Sequence, residues 1–302
     1  MSFNRIFILG AGAIGSICGA LLSEKNDVVL IGSKAHVDAI KANGLTIVGD
    51  VQRTFHPEAS TEIDGIPRKS LVILTTKAYD SAEAVSGIRR FLKKDTILLV
   101  LQNGLGNEDI VKQIVAGRAK VLRALTKMAG EFLKPGRITF WQGETIIESN
   151  DDSAKIVEVF GSAELKSRLS ENIRTEVWTK LAVNCVVNPL TAILHLKNSE
   201  IWEDSLRYVR HGVVGECVEV ATAEGIALPR NLAEKIEKQV AGYTNFSSMY
   251  QDLVKGKRTE IDFLNGKIVE LGKKHRVQTP INETLVSFIK FLERENGISR
   301  NN

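Results

Sequence analysis

Cysteine is scarce in this chain: three in 302 residues, at Cys18, Cys185 and Cys217, each among apolar neighbours and none in a C-x-x-C pair. That excludes a disulfide framework and a thiolate metal site, and it marks small buried thiols in a reducing compartment. Histidine is also rare, and His36, His56, His195, His211 and His275 never fall at a metal-ligand spacing, so no metal centre is expected. A dominant sign of charge is missing. Forty basic against 36 acidic residues leave +4, spread along the chain, too little for a nucleic-acid surface but enough for a small anionic ligand. No run of about 18 apolar residues occurs, and the apolar start FILGAGAIG is broken by glycine rather than built as a signal segment. The expectation is a cytoplasmic protein without nucleic-acid or membrane partners.

What is present is enough apolar residue, 43%, for two domains of ordinary size. In the first half, short apolar runs alternate with helical stretches. RIFILG (5–10) and DVVLIG (27–32) read as strands, and HVDAIKANG as a helix stopped by Asn43-Gly44. SLVILTTK (70–77) and TILLVLQNG (96–104) are near-continuous apolar runs of the kind buried on both faces of a parallel sheet. GRITFW and ETIIES read as shorter strands closing that sheet. Beyond Ser170 the pattern turns helical, over 176–196, 199–224, 232–243, 260–274 and 280–294, with Thr279-Pro280 as cap and first-turn proline of the last. Ile281, Leu285, Phe288, Ile289 and Leu292 line one stripe of it. The fold class is therefore an α/β Rossmann-type dinucleotide-binding domain over 1–170, followed by an all-α domain over 171–302. The apolar stripes of the second domain suit a homodimer and an internal core equally.

LGAGAIGS places Gly10-x-Gly12-x-x-Gly15 between a strand and a helix. Gly10 permits the tight turn, Gly12 the approach of a pyrophosphate, and Gly15 the close packing of helix on strand. Gly10, Ala11, Gly12, Ala13, Ile14 and Gly15 are thus the expected cradle, with the helix N-terminus facing the phosphates. At the end of the second strand, where an acid would bind the ribose of NAD(H), stand Gly32-Ser33-Lys34. A hydroxyl and an ammonium favour the 2′-phosphate of NADP(H) over NAD(H). Lys77 and Asn103 follow the third and fourth strands and are expected at the cofactor cleft, because ligands of open parallel sheets sit beyond strand carboxyl ends.

One further pattern stands out in WTKLAVNCVVNPLTAILHLKNSE (178–200). Lys180, Asn184 and Asn188 interrupt an apolar helix at intervals of four, a spacing that holds them to one face. Pro189 bends or ends that helix. A buried ammonium needs a partner or a cleft. A second polar group, Asn245, Ser247, Ser248 and Glu260, lies in NFSSMYQDLVKGKRTEIDFLNG. In the helix expected from 260, a first-turn glutamate also serves simply to offset the helix dipole.

GAGAIGS, TTKAYD, QNGLGNE, WTKLAVNCVVNPLTAIL and SSMYQDLVKGKRTEIDFLNG together resemble the ketopantoate reductase (2-dehydropantoate 2-reductase) family nearly end to end. The resemblance implies a Rossmann domain carrying NADPH and a helical domain carrying substrate. It makes Lys180 the general acid, and Glu260 the residue that orients substrate and borders the cofactor. It puts Asn103, Asn184, Asn188, Asn198, Asn245 and Ser248 at the substrate, and Lys77 and Asn103 near the nicotinamide. Ser33 stands where many members carry arginine, Asp80 replaces a neutral residue of some members, and TAILHLKN is peculiar to this chain.

The implied reaction reduces the 2-keto group of ketopantoate, toward pantothenate and coenzyme A. Charge builds on the carbonyl oxygen and a positioned lysine protonates it. Such general acid catalysis contributes about 10²–10⁴-fold, and an apolar setting makes an ammonium a readier donor. Asparagine amides hold the oxyanion and the lysine; Ser248 receives the carboxylate and Glu260 the terminal hydroxyl. Two rival readings are another small 2-keto acid as substrate and, from a different class, a non-catalytic NADP(H)-sensing regulator. The retention of both Lys180 and Glu260 argues against the second.

Overall fold

A computed structural model describes residues 3–298. The chain gathers into two compact units, one running through Gln102 and resuming over Gly106–Ile173, the other made of Asn103–Leu105 and everything from Arg174 onward. Three residues of the N-terminal half thus belong with the helical unit.

In the first unit the strands are β1 (Ile6–Leu9), β2 (Val28–Ile31), β3 (Leu45–Gly49), β4 (Arg53–Phe55), β5 (Glu58–Ser60), β6 (Leu71–Leu74), β7 (Ile97–Val100), β8 (Lys120–Thr126), β9 (Ala129–Lys134), β10 (Arg137–Trp141), β11 (Thr145–Glu148) and β12 (Ser167–Ser170). The helices are α1 (Ala13–Leu22), α2 (Lys34–Asn43), α3 (Ser81–Ile88), α4 (Asn107–Val115) and α5 (Ser153–Ser162). The main sheet runs β12-β11-β8-β7-β6-β1-β2-β5. Its six strands from β8 to β5 are parallel. Numbered among themselves in chain order they lie 3-2-1-4-5-6, the doubly wound arrangement whose order reverses between β1 and β6.

The four-residue strands β1, β2, β6 and β7 are buried at every position. Alternate residues feed two cores: Ile6, Ile8 and Leu30 pack on the face of α1 and α2, and Phe7, Leu9 and Val29 on the opposite one with Val85 and Val111. Continuous apolar runs are what two covered faces require.

GRITFW does form a strand, β10, but it does not close the main sheet. It lies in a second sheet, β4-β3-β10-β9. Its residues alternate between buried (Ile138, Phe140) and partly or fully exposed (Arg137, Thr139, Trp141), which is the pattern of a strand covered on one face only. ETIIES supplies β11, antiparallel to β8 in the main sheet.

The second unit holds α6 (Ile173–Leu194), α7 (Arg207–Ala223), α8 (Leu232–Val240), α9 (Ser248–Val254), α10 (Asn265–His275) and α11 (Pro280–Glu295), with short 3-10 turns at Asn198–Trp202, Asp204–Leu206 and Ile261–Phe263. Trp178, Leu181 and Cys185 of α6 share one core with Val213, Val220, Ile268 and Ile289. By length and composition α6 would cross a membrane, yet it is largely buried inside the unit, as a core helix is.

Four expectations change here. The helix expected over 199–224 begins only at Arg207. The one expected from Glu260 begins at Asn265, because Leu264 leaves helical geometry at φ −106°, ψ −106°. On α11, Leu285 and Ile289 are buried while Phe288 is half exposed, so the stripe is narrower than the sequence suggests. The side chain of Thr279 caps nothing; the first amides of α11 go instead to a carboxylate of α7, as described below. All three cysteines are unpaired and buried. Burial pushes the Cys18 thiol up to about 12, and burial together with the neighbouring Cys217 raises that of Cys185.

Candidate active site

At the reversal point of the main sheet, Gly10 adopts φ +112°. A Cβ there would run into the backbone of Thr76 at the end of β6, and one at Gly15 into the Gly10 carbonyl. Both positions therefore require glycine. Thr75 Oγ1 donates to that same carbonyl at 2.8 Å, tying the turn after β1 to the end of β6. Around Gly12 the space is open, with no atom within 4 Å of where a Cβ would be. No side chain caps the N-terminus of α1 and no acid lies in its first turn. Backbone amides at an uncapped, acid-free helix start beside open space fit the pyrophosphate of a dinucleotide.

Behind this loop sits His36, a residue the sequence pattern left without a role. It is buried on α2; its Nδ1 accepts from the Gly136 amide at 3.0 Å, and its Nε2 lies 3.0 Å from Ser16 Oγ. An Nδ1 that accepts leaves the proton on Nε2, so the ring is neutral and donates to Ser16. Burial holds its pKa below the ordinary 6.5. The sequence signal was a histidine at the third position of a helix that follows a short buried strand.

Ser33, exposed, occupies the cap position of α2 without a side-chain bond to the helix amides. Lys34 is ion-paired with Asp38 one turn later, 2.7 Å away, both largely exposed. Exposed pairs of this kind contribute about 0.2–1 kcal/mol, so a dianionic phosphate is a strong competitor for the ammonium. Lys77 lies three residues past the end of β6, at the cap of a 3-10 turn, Ala78–Asp80.

Two residues that the sequence reading passed over fix the ends of β6 and β7. Gln102 Nε2 donates to the carbonyls of Thr76 (2.8 Å) and Lys77 (3.2 Å). The buried guanidinium of Arg123 donates to the carbonyls of Val100, Gln102 and Ala124 at 2.8–2.9 Å. Burial lowers its pKa to about 10, opposed by Glu108 and Glu148. A lone arginine inside an apolar strand must be paired, and that was the available sign.

In the helical unit, α6 carries Lys180 and Asn184, both half buried, and Asn188, 6% exposed. It runs on through Pro189 instead of ending there. Thr191, two residues beyond the proline, places its hydroxyl 2.7 Å from the Val187 carbonyl and 2.7 Å from Ser247 Oγ. Ser247 also caps α9 by accepting from the Tyr250 amide. The buried serine is thus Ser247, and Ser248 is the exposed first residue of α9.

Asn198 and Asn245 are adjoined through the backbone, Asn198 N donating to Asn245 O at 3.0 Å. Asn198 is buried, and its Oδ1 has no hydrogen-bond partner among the described residues. Beside them, Phe246 stacks on Tyr250 (centroids 4.4 Å apart, 17° between planes), and His195 meets Tyr250 edge-on at 5.8 Å.

Glu260, 8% exposed, precedes the 3-10 turn rather than lying in the first turn of α10, so compensation of that helix's dipole does not account for it. Its neighbours are anchored to α11: Thr259 gives both its amide and its hydroxyl to Glu293 Oε1 at 2.7 Å, and Asp262 pairs with Lys290 at 2.7 Å. Next to Asn103, Gly104 takes φ +83° with its Cα against the Phe263 carbonyl, which accepts from Leu105 N at 3.2 Å. Within this unit the segment of Asn103 therefore meets the turn that follows Glu260.

Residues 6–152 match the family model described as ketopantoate reductase PanE/ApbA, and residues 172–293 the model for the C terminal part of the same family. The 2-dehydropantoate 2-reductase of Pyrococcus abyssi is 37% identical over 97% of this chain and 99% of its own length. The crystal structure of a PanE/ApbA family ketopantoate reductase from Ralstonia eutropha JMP134 superposes with a TM-score of 0.91 at 32% identity, covering 97% of this chain and 99% of the other. A ternary structure of D-mandelate dehydrogenase with NADH and anilino(oxo)acetate superposes with a TM-score of 0.90 at 29% identity, with the same coverage.

Proposed function

Because the chain belongs to the ketopantoate reductase family, we propose that it reduces ketopantoate to pantoate with NADPH. The observation that carries this reading is likeness to 2-dehydropantoate 2-reductases over nearly the whole chain, 37% identity across 97% of it. Gly10–Gly15 and the start of α1 hold the pyrophosphate, and Ser33, Lys34 and the start of α2 hold the 2′-phosphate. The bound dinucleotide supplies the hydride.

The chain's own residues do the remainder. As the carbonyl carbon of the substrate gains a hydride, its oxygen becomes an alkoxide in the making, and Lys180 Nζ gives it a proton to complete the hydroxyl. Asn184, one turn on from Lys180 along α6, donates its amide to the same developing charge, a contact that strengthens as the reaction proceeds. Asn188, Asn198, Asn245 and Ser248 bind and orient the carboxylate end. Glu260 accepts from the terminal hydroxyl of the substrate. A site built to hydrogen-bond that hydroxyl rejects 2-keto acids lacking it. Lys77 and Asn103, after β6 and β7, border the nicotinamide.

A second reading, reduction of an aromatic 2-keto acid, is favoured by one feature: the stacked Phe246 and Tyr250 with His195 beside Asn198 and Asn245. The D-mandelate dehydrogenase among its structural neighbours was solved with an aromatic keto-acid analogue. Optical measurement of NADPH oxidation with ketopantoate, 2-ketoisovalerate, pyruvate and phenylglyoxylate separates the readings. Ketopantoate is expected to give the highest kcat/KM. A higher value for phenylglyoxylate moves the assignment to the second reading, and no turnover of any of the four removes both.

A further inference from the structure

Proline at position 189 lies within α6. Any other residue there would donate its amide to the carbonyl of Cys185, four residues back; proline has no N–H, and its ring crowds that carbonyl. Cys185 is fully buried, so the orphaned oxygen has no route to water and would destabilise the fold if left bare. It is not bare. Asn265 Nδ2, at the start of α10, donates to it at 2.9 Å.

The orientation of Asn265 is itself dictated from further away. Glu216 of α7, a buried carboxylate, accepts the first amides of α11 from Ile281 (2.8 Å) and Asn282 (2.9 Å). It also accepts from Asn282 Nδ2 at 2.6 Å. A carboxylate only accepts, so the amide nitrogen of Asn282 must face it and Asn282 Oδ1 must face the other way. That oxygen accepts from Asn265 Nδ2 at 2.9 Å. Two acceptors, Asn282 Oδ1 and the Cys185 carbonyl, therefore fix Asn265 with its nitrogen toward α6. Its own Oδ1 is left buried with no partner among the described residues. A side chain that gives up one hydrogen bond to hold this orientation does more than fill space.

We propose that Asn265 is a positioning residue for the reaction. The chain Glu216–Asn282–Asn265 ties the Cys185 carbonyl, in the turn of α6 between Asn184 and Asn188, to α10 and α11, and so fixes how Asn188 stands relative to Lys180 and Asn184. The proposal rests on the reading of α6 as the substrate helix. Four residues of helix carry a side chain about 40° around the axis, so Asn188 stands about 80° from Lys180 and the geometry of the turn at Cys185 decides whether the three side chains reach one substrate.

A double-mutant cycle between Asn265→Leu and Pro189→Ala tests this, with Tm, the ketopantoate kcat and KM, and the NADPH Kd measured for each variant. Asn265→Leu is expected to lower Tm and to reduce ketopantoate kcat/KM by about ten- to a hundredfold, as misplacement of reacting groups does. Its NADPH Kd stays unchanged. Adding Pro189→Ala supplies the missing N–H to the Cys185 carbonyl, so Tm recovers; kcat/KM stays low because that turn of α6 is no longer tied to α10 and α11. Additive effects on Tm would show that Asn265 does not serve that carbonyl, and recovery of kcat/KM along with Tm would reduce it to a structural strut. Either overturns the proposal. Should Asn265→Leu not fold, Glu216→Gln is the milder substitute: it is expected to reduce kcat/KM in the same direction, and a folded Glu216→Gln with unaltered kinetics overturns the relay. An unsubstituted chain that reduces no 2-keto acid defeats the proposed function itself, whereas normal activity with an uncoupled cycle defeats only the role of Asn265.

Discussion

The two units solve the same problem, presenting polar groups from an apolar interior, by opposite means. In the first, the presenting groups are backbone. Gly10 and Gly15 strip away side chains so that the start of α1 is bare, and Thr75, His36 and Ser16 lock the surroundings. In the second, the polar groups are side chains, Lys180, Asn184 and Asn188 on a buried helix, and the hydrogen bond that Pro189 cannot make is replaced by the side-chain amide of Asn265 from another helix. Backbone amides are aimed by local geometry and tolerate little change. Side chains are aimed by their supports, so their function is sensitive to residues far away in sequence.

The sharpest way to break that contrast is at its ends. Lys180→Ala is expected to cost about 10²–10⁴-fold in kcat, near 3–5 kcal/mol of barrier, with the NADPH Kd preserved. Single-turnover NADPH oxidation reads this, and a near-normal rate refutes the general-acid role. Gly10→Ala has the reverse profile. A Cβ at φ +112° against the Thr76 backbone strains the turn by about 1–3 kcal/mol or more. NADPH binding, followed by nucleotide fluorescence, should weaken tenfold or more and Tm should fall.

A smaller effect sharpens the cofactor side. Ser33→Asp puts a carboxylate at the cap of α2, at the proposed 2′-phosphate site, and is expected to shift the NADPH/NADH ratio of kcat/KM toward NADH by about tenfold or more. An unchanged ratio detaches Ser33 and Lys34 from that phosphate.

The smallest effect is with pH. His36 is held neutral by burial, its folded pKa below 6.5. Its contribution is complete above the ordinary value. As pH falls through 6.5, the unfolded chain takes up a proton that the folded one refuses, and stability declines. Tm should drop between pH 7.5 and 5.5, and His36→Gln should flatten that slope. The carboxylates of Asp152, held down by Lys120 and Lys155, and of Glu224, held down by Lys274 and His275, lose their contributions only at lower pH.

Much of this was readable in advance wherever a local rule applied. The all-buried strands β1, β2, β6 and β7 announced themselves as apolar runs, and the glycine turn fell where the 3-2-1-4-5-6 order reverses. The four-step spacing of Lys180, Asn184 and Asn188 needed only the helical period. What escaped were features without a local signature. β5 and β12 are three- and four-residue strands lacking an apolar run, recruited by the edge of an existing sheet. β10 was legible as a strand but not as a member of a second sheet, since pairing partners are not encoded within a strand. Glu260 was placed in a helix that starts five residues later.

The sequence by itself determined the class of each half, the tight glycine turn after the first strand and the four-step spacing of the polar side chains on α6, because these follow from short-range sterics and the helical period. Only the tertiary structure decided how the breaks in regularity are made good: Glu216 capping α11 from another helix, Asn265 serving the carbonyl that Pro189 abandons, Arg123 holding the ends of neighbouring strands. The reason is physical. A buried donor or acceptor must be paired, but nothing in the adjacent sequence says with what, and the partners here stand 65, 80 and 21 residues away along the chain.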